Sequence, residues 1–250
     1  MTPVTPRAVR ADATRTVPAY FRLLVRGQLT RGRAFALGIL ALITIGFAAL
    51  SYNTQGDGQQ TQIVVDGVTL FGIAVFVPLA CLLLAVPMLG NLVEDRLLVY
   101  LWLKPAPRWH LAIAAFAAVV AVLVPITVGS VVVASLVGGE GGLAATAAVA
   151  AALGVLAYGA LYLLIGLRFS WGIWLGLAHL LIYENLVATL SDGLAQFSLR
   201  SYLLTLVELG TDLDVPQADR GLIASVVVPL AVAVLTVGLT TRVLAASDID

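Results

Sequence analysis

Apolar residues fall into six blocks along the chain, at 34–51, 67–93, 110–137, 143–166, 171–190 and 221–241. Crossing the hydrocarbon of a bilayer takes about 20 predominantly apolar residues in a helix, so six spans are expected. The second and third blocks are long enough to tilt or to continue past the hydrocarbon. Pro78 and Pro87 interrupt the second block, Pro125 the third and Pro229 the sixth. Each removes a backbone donor and can kink its helix. In the fourth block Gly154, Gly159 and Gly166, with Ala152 and Ala160 nearby, permit close helix packing.

The segments outside the blocks differ in character. Residues 1–16 are rich in Pro, Thr, Ala and Arg, and Pro18 suits the first turn of a helix. Over 20–33 the helical period puts Phe21, Leu24, Val25 and Leu29 on one face and Arg22, Arg26 and Arg33 on another. That pattern predicts an amphipathic helix lying in the membrane interface. Residues 52–66 form a polar connection and 138–142 a tight turn. Residues 191–220 are longer, and their 199–209 segment reads as an amphipathic outer helix.

Composition agrees with the pattern. Sixty per cent of the 250 residues are hydrophobic and 11% are charged, against roughly 25% charged in a soluble domain. This is the composition of an integral membrane protein. A formal net charge of zero gives no reason to expect a nucleic-acid partner, but the distribution of charge is informative. With the N-terminus inside, the cytoplasmic side would hold Arg7, Arg10, Arg15, Arg22, Arg26, Arg31, Arg33, Arg96, Lys104, Arg108, Arg168 and Arg242, leaving only Arg200 and Arg220 outside. Such asymmetry orients multi-pass proteins in the cell membrane. Trp102, Trp109, Trp171 and Trp174 then all fall near the inner interface, where amphipathic rings settle. The expected fold is an all-α integral membrane protein with six transmembrane helices and both termini cytoplasmic. Residues 1–33 form an N-terminal segment, 34–241 the six-span domain and 242–250 a tail.

The chain carries little chemistry of its own. A phosphate-binding loop ends in Gly-Lys-Ser/Thr, whereas the single lysine, Lys104, precedes Pro105. His110 and His179 are the only histidines, and neither has a second His one turn away, so no HExxH zinc motif exists. There is no GxSxG elbow for a nucleophilic serine. Cys81 is alone in an apolar block and reads as packing. No catalytic residue, bound cofactor or metal site is expected. His179 and Glu184 are the ionisable residues of the fifth block. A charge at the bilayer centre costs about 2.5–3.5 kcal/mol on insertion scales, so Glu184 approaches the outer interface, is neutral, or faces the bundle interior. Capping a helix near water is its plainer role, proton coupling the sharper one. For His179 a packing hydrogen bond is expected.

One stretch remains, residues 91–110, NLVEDRLLVYLWLKPAPRWH. Its 97–103 core is too apolar for a solvated loop and too short to span, which predicts a short helix at the membrane surface with one side left for a partner. An acid-Arg pair after the second span, an apolar run and then Pro-x-Arg, here Glu94-Asp95-Arg96 through Pro105-Ala106-Pro107-Arg108, resembles the coupling loop of a permease subunit of a type-2 ATP-binding-cassette exporter. The basic helix before the first span and a re-entrant or amphipathic segment before the last, here within 194–209, are similar too. A Gly-Thr pair usual in the family is replaced by Val99-Tyr100, and there is no large outer domain.

The resemblance implies a cytoplasmic coupling helix. In it Val99 and Leu103 would pack into an ATPase groove, with Glu94, Asp95, Arg96, Lys104 and Arg108 setting register. The interfacial helix would be carried by Phe21, Arg22, Leu24, Arg26 and Leu29. It also implies a cassette ATPase partner that holds ATP and Mg, and a second permease copy or homologue. The cargo, unidentified, would be hydrophobic or amphipathic. An ion-coupled transporter or channel using Glu184 and a non-transporting membrane assembly factor are the competing expectations.

Overall fold

A computed structural model describes residues 13–28, 30–51, 57–94, 109–187, 198–209, 215 and 220–246. Among these residues the secondary structure is helical, without strands. In chain order the helices are α1 (Ala13–Gln28), α2 (Arg31–Ser51), α3 (Asp57–Asp66), a π-helical stretch (Gly67–Phe76) and α4 (Val77–Glu94). Then come α5 (Trp109–Val137), α6 (Gly141–Arg168), α7 (Gly172–Ala178), a second π-helical stretch (His179–Val187), α8 (Leu199–Glu208) and α9 (Leu222–Ala246).

Among the described residues five helical rods are long and apolar enough to cross a membrane: Arg31–Leu50, Gln62–Leu92, Trp109–Val137, Gly141–Arg168 and Leu222–Ala246. The fifth sequence block gives a shorter apolar helix, Gly172–Glu184; residues 188–190, its expected end, lie outside the described residues. Serine and threonine hydroxyls within the rods would be costly in hydrocarbon without a partner. They bond back to carbonyls of the preceding turn instead: Thr127 to Leu123 at 2.8 Å, Ser130 to Ile126 at 2.6 Å and Thr236 to Val232 at 2.6 Å.

The axis of the bundle is α6, against which α4, α5, α8 and α9 all pack. Its composition explains this position, because an Ala- and Gly-rich helix lets several neighbours approach closely. Ala147, Ala150, Ala151, Ala157 and Ala160 are all fully buried. A Cβ on Gly154 would meet Val77 at 2.9 Å and Leu203 at 3.0 Å, and one on Gly159 would meet Val119 at 3.0 Å. The closest approach is at Gly166, where a Cβ would lie 2.1 Å from the Val86 carbonyl oxygen. By contrast α2 and α9 are peripheral. Phe35, Leu42 and Leu50 on the first and Ile223, Val234 and Leu235 on the second are exposed, as lipid-facing residues must be.

The π-helical winding in the second rod has a visible end. The Val77 amide bonds to Gly72, five residues back, closing the π-helical stretch immediately before Pro78, which has no N–H to continue an α pattern.

Helix α1 does not merely float in an interface. Tyr20 and Leu24 are buried, Phe21 and Val25 half-buried, and Arg22 and Arg26 exposed, so the expected apolar face exists and rests on α5. Two polar contacts fix it. Thr16 Oγ1 lies 2.7 Å from His110 Nδ1 at the start of α5, and Gln28 Nε2 donates to the Pro87 carbonyl of α4 at 3.4 Å. The Arg33 guanidinium in turn donates to the Gln28 side-chain oxygen. Leu29 lies outside the described residues. The first turn of α5, the end of α4, the α6–α7 turn and the last turn of α9 all gather at this same end of the bundle. At the far end Gly138 abuts Val64 and the Arg220 amide donates to Thr205 Oγ1.

Candidate functional site

The second π-helical stretch carries His179, Tyr183 and Glu184, and it faces two tyrosines of α6, Tyr158 and Tyr162. These are spaced four residues apart, so they stand one above the other on a single helical face. Their rings are 6.0 Å apart and nearly parallel. His179 sits edge-on to both, at 6.4 Å from Tyr158 and 6.0 Å from Tyr162, and stacks on Tyr183 at 5.5 Å. The Tyr162 hydroxyl lies 3.4 Å from His179 Nδ1, the packing contact expected of that histidine.

Glu184 is 1% exposed. It therefore faces the interior and does not end a helix near water. Its role is nevertheless a cap, for a different helix. Leu199 and Arg200 open α8, and their amides donate to Glu184 Oε1 at 3.2 Å and Oε2 at 3.4 Å. Ser198, at the N-cap position, makes no cap bond to its own helix. Its hydroxyl donates to Glu184 Oε2 instead, and the Tyr158 hydroxyl donates to Oε1 at 3.0 Å. Helix N-termini leave amides without partners and carry a partial positive charge, so a carboxylate from elsewhere in the fold satisfies both needs together.

That contact determines where α8 lies. The 199–209 segment is not an amphipathic helix on the outer surface: Leu199 and Ser201 through Val207 are all buried. The correction has a simple cause. The face that looks polar in sequence, Ser198, Ser201 and Thr205, is consumed by internal hydrogen bonds, to Glu184, to the Ser198 carbonyl at 2.9 Å and to the Ser201 carbonyl at 3.0 Å. Arg220 closes the other end, with its guanidinium 5.8 Å from the Tyr202 ring and its Nε donating to Ser201 Oγ at 3.4 Å. A short helix thus dips into the bundle beside α6 and is tied at its tip to Glu184. Backbone ends at such depth persist only where protein satisfies them.

An ionised carboxylate offers about four acceptor positions. Glu184 receives hydrogen bonds from Tyr158, Ser198, Leu199 and Arg200, so all of them are occupied. In this arrangement it anchors a helix. Among the described residues no group of three or more His, Cys, Asp and Glu could hold a metal ion.

The other sequence candidates divide by location. Phe21, Arg22, Leu24 and Arg26 lie on α1 as described above. Glu94 closes α4, while Asp95, Arg96, Val99, Leu103, Lys104 and Arg108 lie outside the described residues. Sequence reasoning missed Tyr158, Tyr162 and Ser198. The two tyrosines at helical spacing in an Ala/Leu/Gly span, and a serine just before an apolar helix, were the available signals. Neither protein-family models nor curated proteins match this chain.

Proposed function

We propose that the chain is the membrane-spanning permease subunit of an ATP-driven exporter of the ATP-binding-cassette type. It moves a hydrophobic or amphipathic substrate across the cytoplasmic membrane with energy from separate ATPase subunits. The observation that carries the reading is mechanical. Residues 95–108, with their acid-Arg and Pro-x-Arg elements, join the end of α4 to the start of α5. Both helices are clamped there by α1, through Gln28 to Pro87 and Thr16 to His110, and both pack along α6. A force applied to 95–108 would reach the centre of the bundle through these packed and hydrogen-bonded helices.

Supporting geometry comes from the charges. Arg22, Arg26, Arg168 and Arg242 belong to elements meeting at the end from which 95–108 emerges, whereas Arg220 lies at the far end beside Thr205 and Arg200 sits in the first turn of α8 against Glu184. This agrees with both termini being cytoplasmic. In this reading the shorter apolar helix Gly172–Glu184 belongs to the sixth crossing. The occupied carboxylate of Glu184 favours this reading over ion coupling, which needs an acceptor able to take up and release its ion. ATP and Mg belong to the partner ATPase, and a second permease copy or homologue completes the transport unit.

The test is Val99→Asp combined with Leu103→Asp. Association with the ATPase is lost while the bundle's thermal unfolding is unchanged; undiminished co-purification overturns the assignment.

A further inference from the structure

Between the first turn of α5 and the last turns of α9 lies an open cleft of about 420 Å³, lined by Trp109, Thr241, Arg242 and Ala245. From this arrangement we infer that the cleft binds the headgroup of an anionic phospholipid, with Arg242 on its phosphate and Trp109 beside the glycerol backbone.

Three observations meet there. The walls are mainly apolar, Arg242 is the one cation among the described lining residues, and Arg242 and Trp109 are both exposed. Next, Ile113, one turn on from Trp109 in α5, and Leu239 and Leu235, three and seven residues before Arg242 in α9, are exposed, which gives acyl chains an apolar track. Finally, the cleft lies at the basic end, where α1 packs on α5 with Arg22 and Arg26 exposed. A tryptophan is at home at headgroup depth, where its ring is half in lipid and its N–H can find an oxygen. Arginine suits phosphate because its planar fork donates two parallel hydrogen bonds. The Thr241 hydroxyl is already committed, donating to the Gly238 carbonyl at 2.6 Å, so Arg242 carries the recognition. Among the described lining residues a soluble phosphate ester would meet one cation on an apolar wall, whereas a phospholipid uses both surfaces.

The experiment uses the full chain, delipidated in detergent and carrying a photo-crosslinking amino acid at Trp109. Phosphatidylglycerol and phosphatidylcholine are titrated in parallel, with glycerol phosphate as the soluble competitor. Expected are adducts with phosphatidylglycerol at Trp109, about five- to tenfold weaker labelling in Arg242→Gln, and no competition from glycerol phosphate. Equal labelling by phosphatidylcholine overturns the proposal, and so does an unchanged Arg242→Gln. Loss that follows Arg22→Gln and Arg26→Gln and not Arg242→Gln would mean diffuse surface attraction and would overturn it as well. A chain ending at Ala246 separates one further occupant. If labelling appears only after residues 247–250, with Asp248 and Asp250, are removed, the tail fills the cleft and the proposal fails; labelling equal to that of the full chain supports it.

Discussion

Tyr158 on α6 and Glu184 on the π-helical stretch after α7 share a 3.0 Å hydrogen bond although 26 positions separate them. The bond joins the central helix to the carboxylate that caps α8, so three elements converge on one side chain. Removing that carboxylate should cost more than any single bond to it. Glu184→Ala leaves the Ser198 hydroxyl and the Leu199 and Arg200 amides without their acceptor, each worth about 1–3 kcal/mol when buried. A loss of about 3 kcal/mol or more is expected by denaturant unfolding in detergent, with faster hydrogen exchange in α8. Glu184→Gln keeps one acceptor oxygen and falls between.

Tyr158→Phe removes one donor and no volume from the core. Its expected cost is smaller, about 0.6–1.7 kcal/mol, the range for hydrogen bonds between membrane helices. Combined with Glu184→Gln the losses should be less than additive, since both act on one network. A double-mutant cycle on unfolding free energies measures this directly.

At Gly166 the obstacle to a side chain is backbone, because the added Cβ would lie 2.1 Å from the Val86 carbonyl oxygen. Gly166→Ala must push α4 and α6 apart and should cost about 1–3 kcal/mol. Gly238→Ala has nothing within 4 Å and should be neutral or stabilising by up to about 1 kcal/mol through helix propensity. Parallel thermal unfolding of the two variants makes the comparison.

Docking of α1 depends on few polar contacts. Thr16→Val removes its bond to His110 and should cost about 1 kcal/mol while the long helices stay protected. Hydrogen exchange should then speed up in α1 alone.

How much of this could be read beforehand follows from the range of the interactions. Block length and apolarity set the long rods, and these are local properties, so they are legible. The amphipathic face of α1 was visible for the same reason, though not that α5 would cover Tyr20 and Leu24. What lay beyond reach was tertiary. That Glu184 would cap a helix beginning 15 residues later depends on a chain reversal that no periodicity encodes. Helix α8 reads as amphipathic in sequence, and only the three-dimensional fold shows the Ser201 and Thr205 hydroxyls satisfied within the bundle. The π-helical stretches were equally hidden, since α and π windings draw on the same apolar residues.

The central claim is that residues 95–108 form a handle gripped from the cytoplasm by an ATPase. A photo-crosslinking amino acid placed at Val99, in the chain within its native membrane, tests it most directly. The account predicts an adduct with a protein carrying a phosphate-binding loop, lost when Leu103 is replaced by Asp. Adducts with lipid only, or labelling of position 99 by a membrane-impermeant reagent added from outside the cell, would contradict it.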